Sequence, residues 1–311
     1  MIALLLAALA ASVTQATQPP TFAGGVAAVY VDVFVTEKGR PITGLTAADF
    51  ELRDDGVRRE IELVSAESLP LAVHLVLDAS GSVAGPKLAQ LQAASRGLLG
   101  NLRPGDEVAV LTFDHEIRVR VPPTQDFPAV ERALATIDPG GATALYDAVY
   151  AATLLASGRG RSLLVVFTDG EDNLSWLGAD QLRQVLRESN ALVQAVGILH
   201  SGDDLQWVTG SPESRDALLQ SATLGSRRRD EPPHVRTLRQ LAETTGGRFW
   251  ATDSAERLTD AFLAILETMR TRYVLRFEPP PGTRPGRHEV DVTLTRRRGR
   301  VECRKAYVVG P

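Results

Sequence analysis

Five oxygen-bearing side chains define the chemistry open to this sequence. Asp78, Ser80 and Ser82 alternate in the run Asp78-Ala79-Ser80-Gly81-Ser82; Thr143 follows Gly140 and Gly141; Asp169 stands in Phe167-Thr168-Asp169-Gly170. Hydroxyls and carboxylates are hard donors, suited to Mg²⁺ or a similar cation that retains part of its water. Ser80, Ser82 and Thr143 could touch such an ion directly, with Asp78 and Asp169 balancing its charge through water. An ion touched only by neutral hydroxyls stays electrophilic, and one coordination position can accept an anionic oxygen from outside. Gly81, Gly140, Gly141 and Gly170 let the backbone turn closely around it. The plainer role for the same hydroxyls is to cap turns and helices.

Other chemistries find less support. A serine hydrolase needs a Gly-x-Ser-x-Gly elbow, whereas Asp78 stands two residues before Ser80. The five histidines, His74, His115, His200, His234 and His288, form no i,i+4 pair and no His-Glu-x-x-His. His74 lies within an apolar run, where a buried, hydrogen-bonded histidine is expected. No Walker or Gly-x-Gly-x-x-Gly loop follows any predicted strand. A phosphohydrolase using Asp78 as nucleophile would want a carboxylate at position 80, which is Ser. Glu171 and Asp172 beside Asp169 leave metal-assisted hydrolysis as an alternative, but read more simply as a solvated loop that tunes charge. The expectation is a binding protein and not an enzyme.

The donors need a frame that brings distant loops together. Val73–Leu77 is aliphatic and β-branched up to Asp78, and Ser162–Thr168 is a second such run ending on Asp169; both read as strands buried on two faces of a parallel sheet. Between and after them, helical periods (86–101, 128–137, 144–157, 178–189, 235–244, 254–271) alternate with strands (107–113, 116–121, 191–199, 248–251). That is the pattern of βαβ units. The fold class expected is α/β, a doubly wound, mostly parallel, Rossmann-like sheet. In such sheets the ligand crevice lies outside the carboxyl ends of the strands, where Asp78 and Asp169 fall.

The flanks read differently. Residues 26–68 show strand periodicity at 26–36, a short helix within 41–50 capped at Thr46, and strands around the Asp54-Asp55-Gly56 turn. Residues 272–311 give alternating strands at 273–277, 288–294 and 301–308. The two flanks are expected to build one smaller β module beside an α/β domain spanning 69–271. An insertion at about 200–235 is polar, with one helical turn near 216–222. Residues 1–16 combine a short apolar run with a small-x-small site ending at Ala16, as a signal peptide does, although no Lys or Arg precedes the run. Residues 17–25 form a Pro/Gly-rich lead-in. No other stretch is apolar enough to span a bilayer, so the mature chain is expected to lack a transmembrane segment and to be secreted, periplasmic or associated with the cell envelope. The 311 residues carry a formal net charge of −4. Arg270–Lys305 alone holds eleven Arg/Lys against four Asp/Glu; without interleaved aromatics this reads as a solvated strand face, and no nucleic acid is expected as a partner. Cys303 is the one cysteine, which excludes an intramolecular disulfide and a Cys-based zinc site.

Asp-x-Ser-x-Ser after a buried strand, a Thr after a Gly-rich loop, and Thr-Asp-Gly after a second buried strand resemble the von Willebrand factor type A domain. The block VDVFVTEKGRPITGLTAADFELRDDG, the run FTDGEDN at Phe167–Asn173, and the closing strands resemble the bacterial branch of exported VWFA-related domain proteins. The resemblance implies that Asp78, Ser80, Ser82, Thr143 and Asp169 form a metal-ion-dependent adhesion site for Mg²⁺, with Mn²⁺ or Ca²⁺ as alternatives. It implies a protein ligand whose Asp or Glu completes the metal shell. A scaffolding protein with a purely architectural ion is the competing expectation.

Overall fold

The computed structural model describes residues 28–64, 66, 69–157, 161–169, 172–198, 232–252 and 254–309. The expected signal segment, the lead-in and all but the last four residues of the 200–235 insertion lie outside the described residues.

The chain opens with strands β1 (Val29–Glu37), β2 (Arg40–Pro41), β3 (Phe50–Asp54), β4 (Val57–Arg59) and β5 (Glu62–Val64). In place of the helix expected within 41–50 there is a single 3₁₀ turn, Ala47–Asp49. Its capping is real, since Asp49 accepts hydrogen bonds from the Thr46 backbone N–H and hydroxyl at 2.8 and 2.9 Å. Phe50 is buried in the next strand, which ends the turn at once.

The α/β part follows: β6 (Leu71–Asp78), α1 (Pro86–Leu99), β7 (Glu107–Phe113), β8 (Ile117–Thr124), α2 (Phe127–Ala135), α3 (Leu145–Ala156), β9 (Arg161–Thr168), α4 (Ala179–Glu188), β10 (Leu192–Ile198), α5 (Pro233–Thr244), β11 (Phe249–Thr252) and α6 (Ala255–Arg270). These strands form one sheet in the order β11-β10-β9-β6-β7-β8, parallel except for the β7–β8 hairpin. Every residue of β6 and β9 is buried, and successive residues serve opposite faces. Val73, Leu75, Leu77, Leu163, Val165 and Phe167 meet Leu91, Leu98, Phe262 and Ile265 of α1 and α6. Val76, Leu164 and Val166 meet Val149, Leu182 and Leu241 of α3, α4 and α5. Helices on both faces explain why these strands lack polar alternation.

The last strands are β12 (Tyr273–Phe277), β13 (Gly286–Leu294), β14 (Arg300–Glu302) and β15 (Ala306–Val309). They join the first ones in two antiparallel sheets, β14-β1-β12-β5 with β2 at its edge, and β15-β13-β3-β4. The two sheets share a core of Val31, Val33, Phe50, Leu52, Leu275, Phe277, Val290, Val292 and Tyr307. The first and last described strands therefore build one β module, as the sequence pattern implies. The run at 301–308, read as a single strand, is divided between the sheets as β14 and β15, just as β4 and β5 are. Cys303 is buried at the second crossing.

The module docks at the amino-terminal ends of the parallel strands. Arg161, at the start of β9, donates two hydrogen bonds to Asp32 of β1 (2.8 and 2.6 Å) and one to the Met269 carbonyl (2.7 Å). Arg248, just before β11, pairs with Glu302 at 2.9 Å and lies 4.4 Å over the Phe34 ring, with Arg272 at 5.5 Å. Burial pushes the Arg272 guanidinium down to about 10, and its hydrogen bond to the Gly246 carbonyl (2.6 Å) engages one arm of it. Gly246 (φ +80°) must be glycine here: a Cβ would stand 2.7 Å from the Cys303 carbonyl carbon. The carboxyl ends of the parallel strands are left to the loops that carry the five oxygen donors.

Candidate metal centre

The chain runs from β6 outward to β7 and β8, then returns to the other side of β6 as β9. The sheet order thus reverses between β6 and β9, and the crevice at that point is where doubly wound folds hold ligands. Asp78 ends β6 and Asp169 directly follows β9.

Asp78 is fully buried. Its Oδ1 accepts the Ser80 backbone N–H at 2.8 Å and its Oδ2 accepts the Thr168 hydroxyl at 2.6 Å. Burial pushes its carboxyl above the ordinary value, while the hydrogen bonds from Ser80 and Thr168 oppose that shift. Placing a cation nearby would lower the cost of holding this charge in the interior. Ser82 donates its hydroxyl proton to Asp169 Oδ1 (2.7 Å), and its oxygen lies 2.9 Å from the Ser80 hydroxyl oxygen. The contact joins Ser80 and Ser82 to Asp169, and the hydroxyl oxygens keep lone pairs available. The Asp169 side chain has no exposed surface, and its second oxygen pairs with the Lys87 ammonium.

Thr143 comes to the same edge on a neighbouring loop. The Gly140 N–H donates to the Ala79 carbonyl at 2.8 Å, and the Gly81 N–H to the Gly141 carbonyl at 3.2 Å, tying the loop to the Asp78–Ser82 segment. Gly141 has φ +79°, and a Cβ there would run into the His115 ring. The Thr143 backbone is clamped on both sides: its N–H donates to Asn173 Oδ1 (2.9 Å) and its carbonyl accepts the Asn173 N–H (3.0 Å). The structure therefore links Asp78, Ser80, Ser82 and Asp169 through the serine chain and the adjoining Thr168, and brings Thr143, itself buried, to the loop beside them. An all-oxygen set of hydroxyls and carboxylates fits a hard divalent cation.

Three residues outside the five-residue set also shape this edge: Thr168, Lys87 and Asn173. Thr168 adjoins Asp169 and Asn173 follows it by four residues, a signal that could have marked them. Lys87 is the second residue of α1 and reads from sequence as a solvated helix residue.

Residues 172–177 are tied to the start of α3. Asp172 and Ser175 accept the first N–H groups of α3 from Tyr146 (3.3 Å) and Asp147 (3.1 Å), supplying the cap that Ala144 lacks. Asp147 in return accepts the Trp176 and Leu177 N–H groups at 2.9 and 3.0 Å. The loop holds the Trp176 side chain in solvent at 97 % exposure, with Leu174 also exposed.

A second acidic cluster, Asp54, Asp55 and His288, lies in the β module with ligand atoms within 4.8 Å of one another. Its atoms already serve the turn. Asp54 takes Arg59 (2.9 Å) and the Tyr307 hydroxyl (3.0 Å), and Asp55 takes the Glu289 N–H (2.7 Å). His288 bridges Asp55 (2.7 Å) and the Arg284 carbonyl (2.8 Å).

A three-layer α/β domain with an oxygen-rich site at its switch point defines a class of ligand-binding domain, and sequence comparison specifies the class. Residues 73–171 match the profile of the von Willebrand factor type A domain, and the chain carries a domain of that family. The mouse inter-alpha-trypsin inhibitor heavy chain H2 is 28 % identical over 138 residues, 40 % of this chain and 14 % of its own. The uncharacterized protein sll0103 of Synechocystis sp. is 31 % identical over 110 residues, 33 % of this chain and 26 % of its own. The chain thus matches about a quarter or less of the length of these relatives. Among solved structures, von Willebrand factor type A from Catenulispora acidiphila superposes with a TM-score of 0.50 at 13 % identity, covering 92 % of this chain and 73 % of that one. The likeness at that identity is one of fold.

Proposed function

We propose that this protein binds a divalent cation, Mg²⁺ with Mn²⁺ or Ca²⁺ as alternatives, through Asp78, Ser80, Ser82, Thr143 and Asp169, and uses it to capture an Asp or Glu of a partner protein. The observation that carries the reading is the run of oxygen contacts from Ser80 through Ser82 to Asp169 at the switch point. A bound ion would supply Lewis acidity toward an incoming carboxylate. The chain's residues would hold it with hydroxyl oxygens, keep the compensating charge on Asp78 and Asp169, and fix Thr143 through Asn173. The exposed Trp176 and Leu174 beside Asn173 are the kind of apolar surface that a protein partner buries. The reading is one of adhesion or assembly without turnover. We place the protein outside the cytoplasm, secreted or at the cell envelope, on the apolar opening segment.

The test has two stages. Thermal unfolding of the purified chain is followed in Mg²⁺, Mn²⁺, Ca²⁺ or EDTA, beside Ser80→Ala and Thr143→Ala. Metal should raise the midpoint of the wild type and neither variant. Loop peptides displayed on phage are then selected in Mg²⁺ and eluted with EDTA. Enrichment of Asp or Glu sequences supports capture of a carboxylate. A metal shift without such enrichment would leave a purely architectural ion, and no metal shift in the wild type would end the reading.

A further inference from the structure

Lys87 stands in the first turn of α1, after Gly85 and Pro86, where the helix's positive end disfavours a cation. That turn contains no acidic residue and its N-cap offers no side-chain hydrogen bond. Local helix preference therefore does not account for a lysine here. What accounts for it lies across the crevice: the ammonium pairs with Asp169 Oδ2 and donates to the Ser82 carbonyl at 3.1 Å. Both are residues of the candidate metal centre, and the Asp169 carboxylate is wholly enclosed while the Lys87 side chain keeps 22 % of its surface in water. An enclosed carboxylate needs a counter-charge, and leaving it without one is costly.

We propose that Lys87 is a tethered counter-cation of the metal centre, which holds Asp169 in place before metal arrives and is exchanged for the divalent ion. The inference rests on the metal-binding reading above. Without metal, the ammonium neutralises Asp169 and keeps the Ser80–Ser82–Asp169 chain aligned. When a divalent cation enters, it takes over Asp169's charge, and the ammonium must give up that partner or share it with a repelling ion. Either course weakens metal affinity and strengthens the metal-free state. Lys87 thus sets the cation concentration at which the site loads. Its partly exposed stem, on a first turn that begins four residues after Ser82, gives it room to swing toward solvent.

The exchange predicts opposite signs for two observables, which a merely structural lysine would not produce. Lys87→Met should bind Mg²⁺ or Mn²⁺ about tenfold more tightly than wild type by titration calorimetry, the scale of one charge-assisted hydrogen bond. In EDTA the same variant should melt below wild type, because Asp169 has lost its counter-charge. Lys87→Arg keeps the charge and should stay near wild type in both. If Lys87→Met binds metal equally or more weakly, or melts like wild type in EDTA, the tethered-cation role is refuted while wild-type binding still upholds the metal centre. If neither wild type nor variant gives heat or a thermal shift with either metal, the metal-binding reading falls and this inference with it.

Discussion

Replacing Asp78 with Asn separates the two demands placed on this buried side chain. The substitution keeps the shape and removes the charge. The amide oxygen can still accept the Ser80 N–H, now at 2.8 Å, and the amide nitrogen can donate to the Thr168 hydroxyl once that hydroxyl rotates to accept. Loss of a charge held against its burial offsets the poorer hydrogen bonds, so in EDTA the variant should unfold within about 1 kcal/mol of wild type. With metal the outcome differs. At a free Mg²⁺ concentration one hundred times the dissociation constant, linkage stabilises the wild type by about 2.7 kcal/mol. At roughly 2–4 °C per kcal/mol for a large domain, the midpoint rises by about 5–10 °C. The neutral amide contributes no negative charge to the centre, so the Asp78→Asn variant should show little of this rise. The assay is differential scanning calorimetry of both proteins in EDTA and across a Mg²⁺ titration. A variant that keeps the wild-type shift would refute the argument that Asp78 balances the ion.

Two further outcomes test the β module. Arg161→Met should cost about 3 kcal/mol in urea unfolding, because it strips Asp32 and the Met269 carbonyl of a buried partner, and it should leave the metal response intact. The hydrogen bond to the Arg284 carbonyl, followed by Asp55, raises the His288 pKa above 6.5. The folded state therefore holds this proton more tightly than the unfolded chain does. Its contribution to stability should be complete below about pH 6.5 and lost as pH rises through the higher folded value, and His288→Gln should flatten that part of the stability–pH curve.

The sequence makes the α/β frame readable because β6 and β9 are unbroken aliphatic runs, which only a sheet covered on both faces tolerates. The five oxygen donors are readable for a related reason: each follows a strand end or a glycine turn, and their order along the chain matches one known pattern. Residues whose meaning depends on distant partners are harder to read. Lys87 looks like any solvated helix residue until Asp169, 82 positions later, is placed beside it. The basic stretch after Arg270 reads as a solvated face, yet Arg272 is buried against the Phe34 ring and bonded to the Gly246 carbonyl, a placement that no local periodicity encodes. The crossing of the chain between sheets at Cys303 is equally silent, since alternation continues through it. The capping box at Thr46 marks a true helical start but gives no length. Tertiary demand for Phe50 in the module core sets that.

The seam with the β module and the candidate metal centre lie at opposite ends of the parallel sheet, and their independence can be measured. Arg161 and Thr168 bound β9, so at about 3.3 Å per residue the seam with the β module lies about 23 Å from the candidate metal centre. Sites that far apart, with no shared partner, should contribute independently, within about 0.5 kcal/mol. The double variant Arg161→Met/Asp78→Asn should therefore lose stability in Mg²⁺ as the sum of the two single losses. β9 is rigid and buried on both faces, however, and it also carries Thr168, whose hydroxyl orients Asp78. If the double variant departs from the sum by much more than about 0.5 kcal/mol, the strand transmits strain between seam and site, and docking of the β module would then belong to the machinery that sets metal affinity.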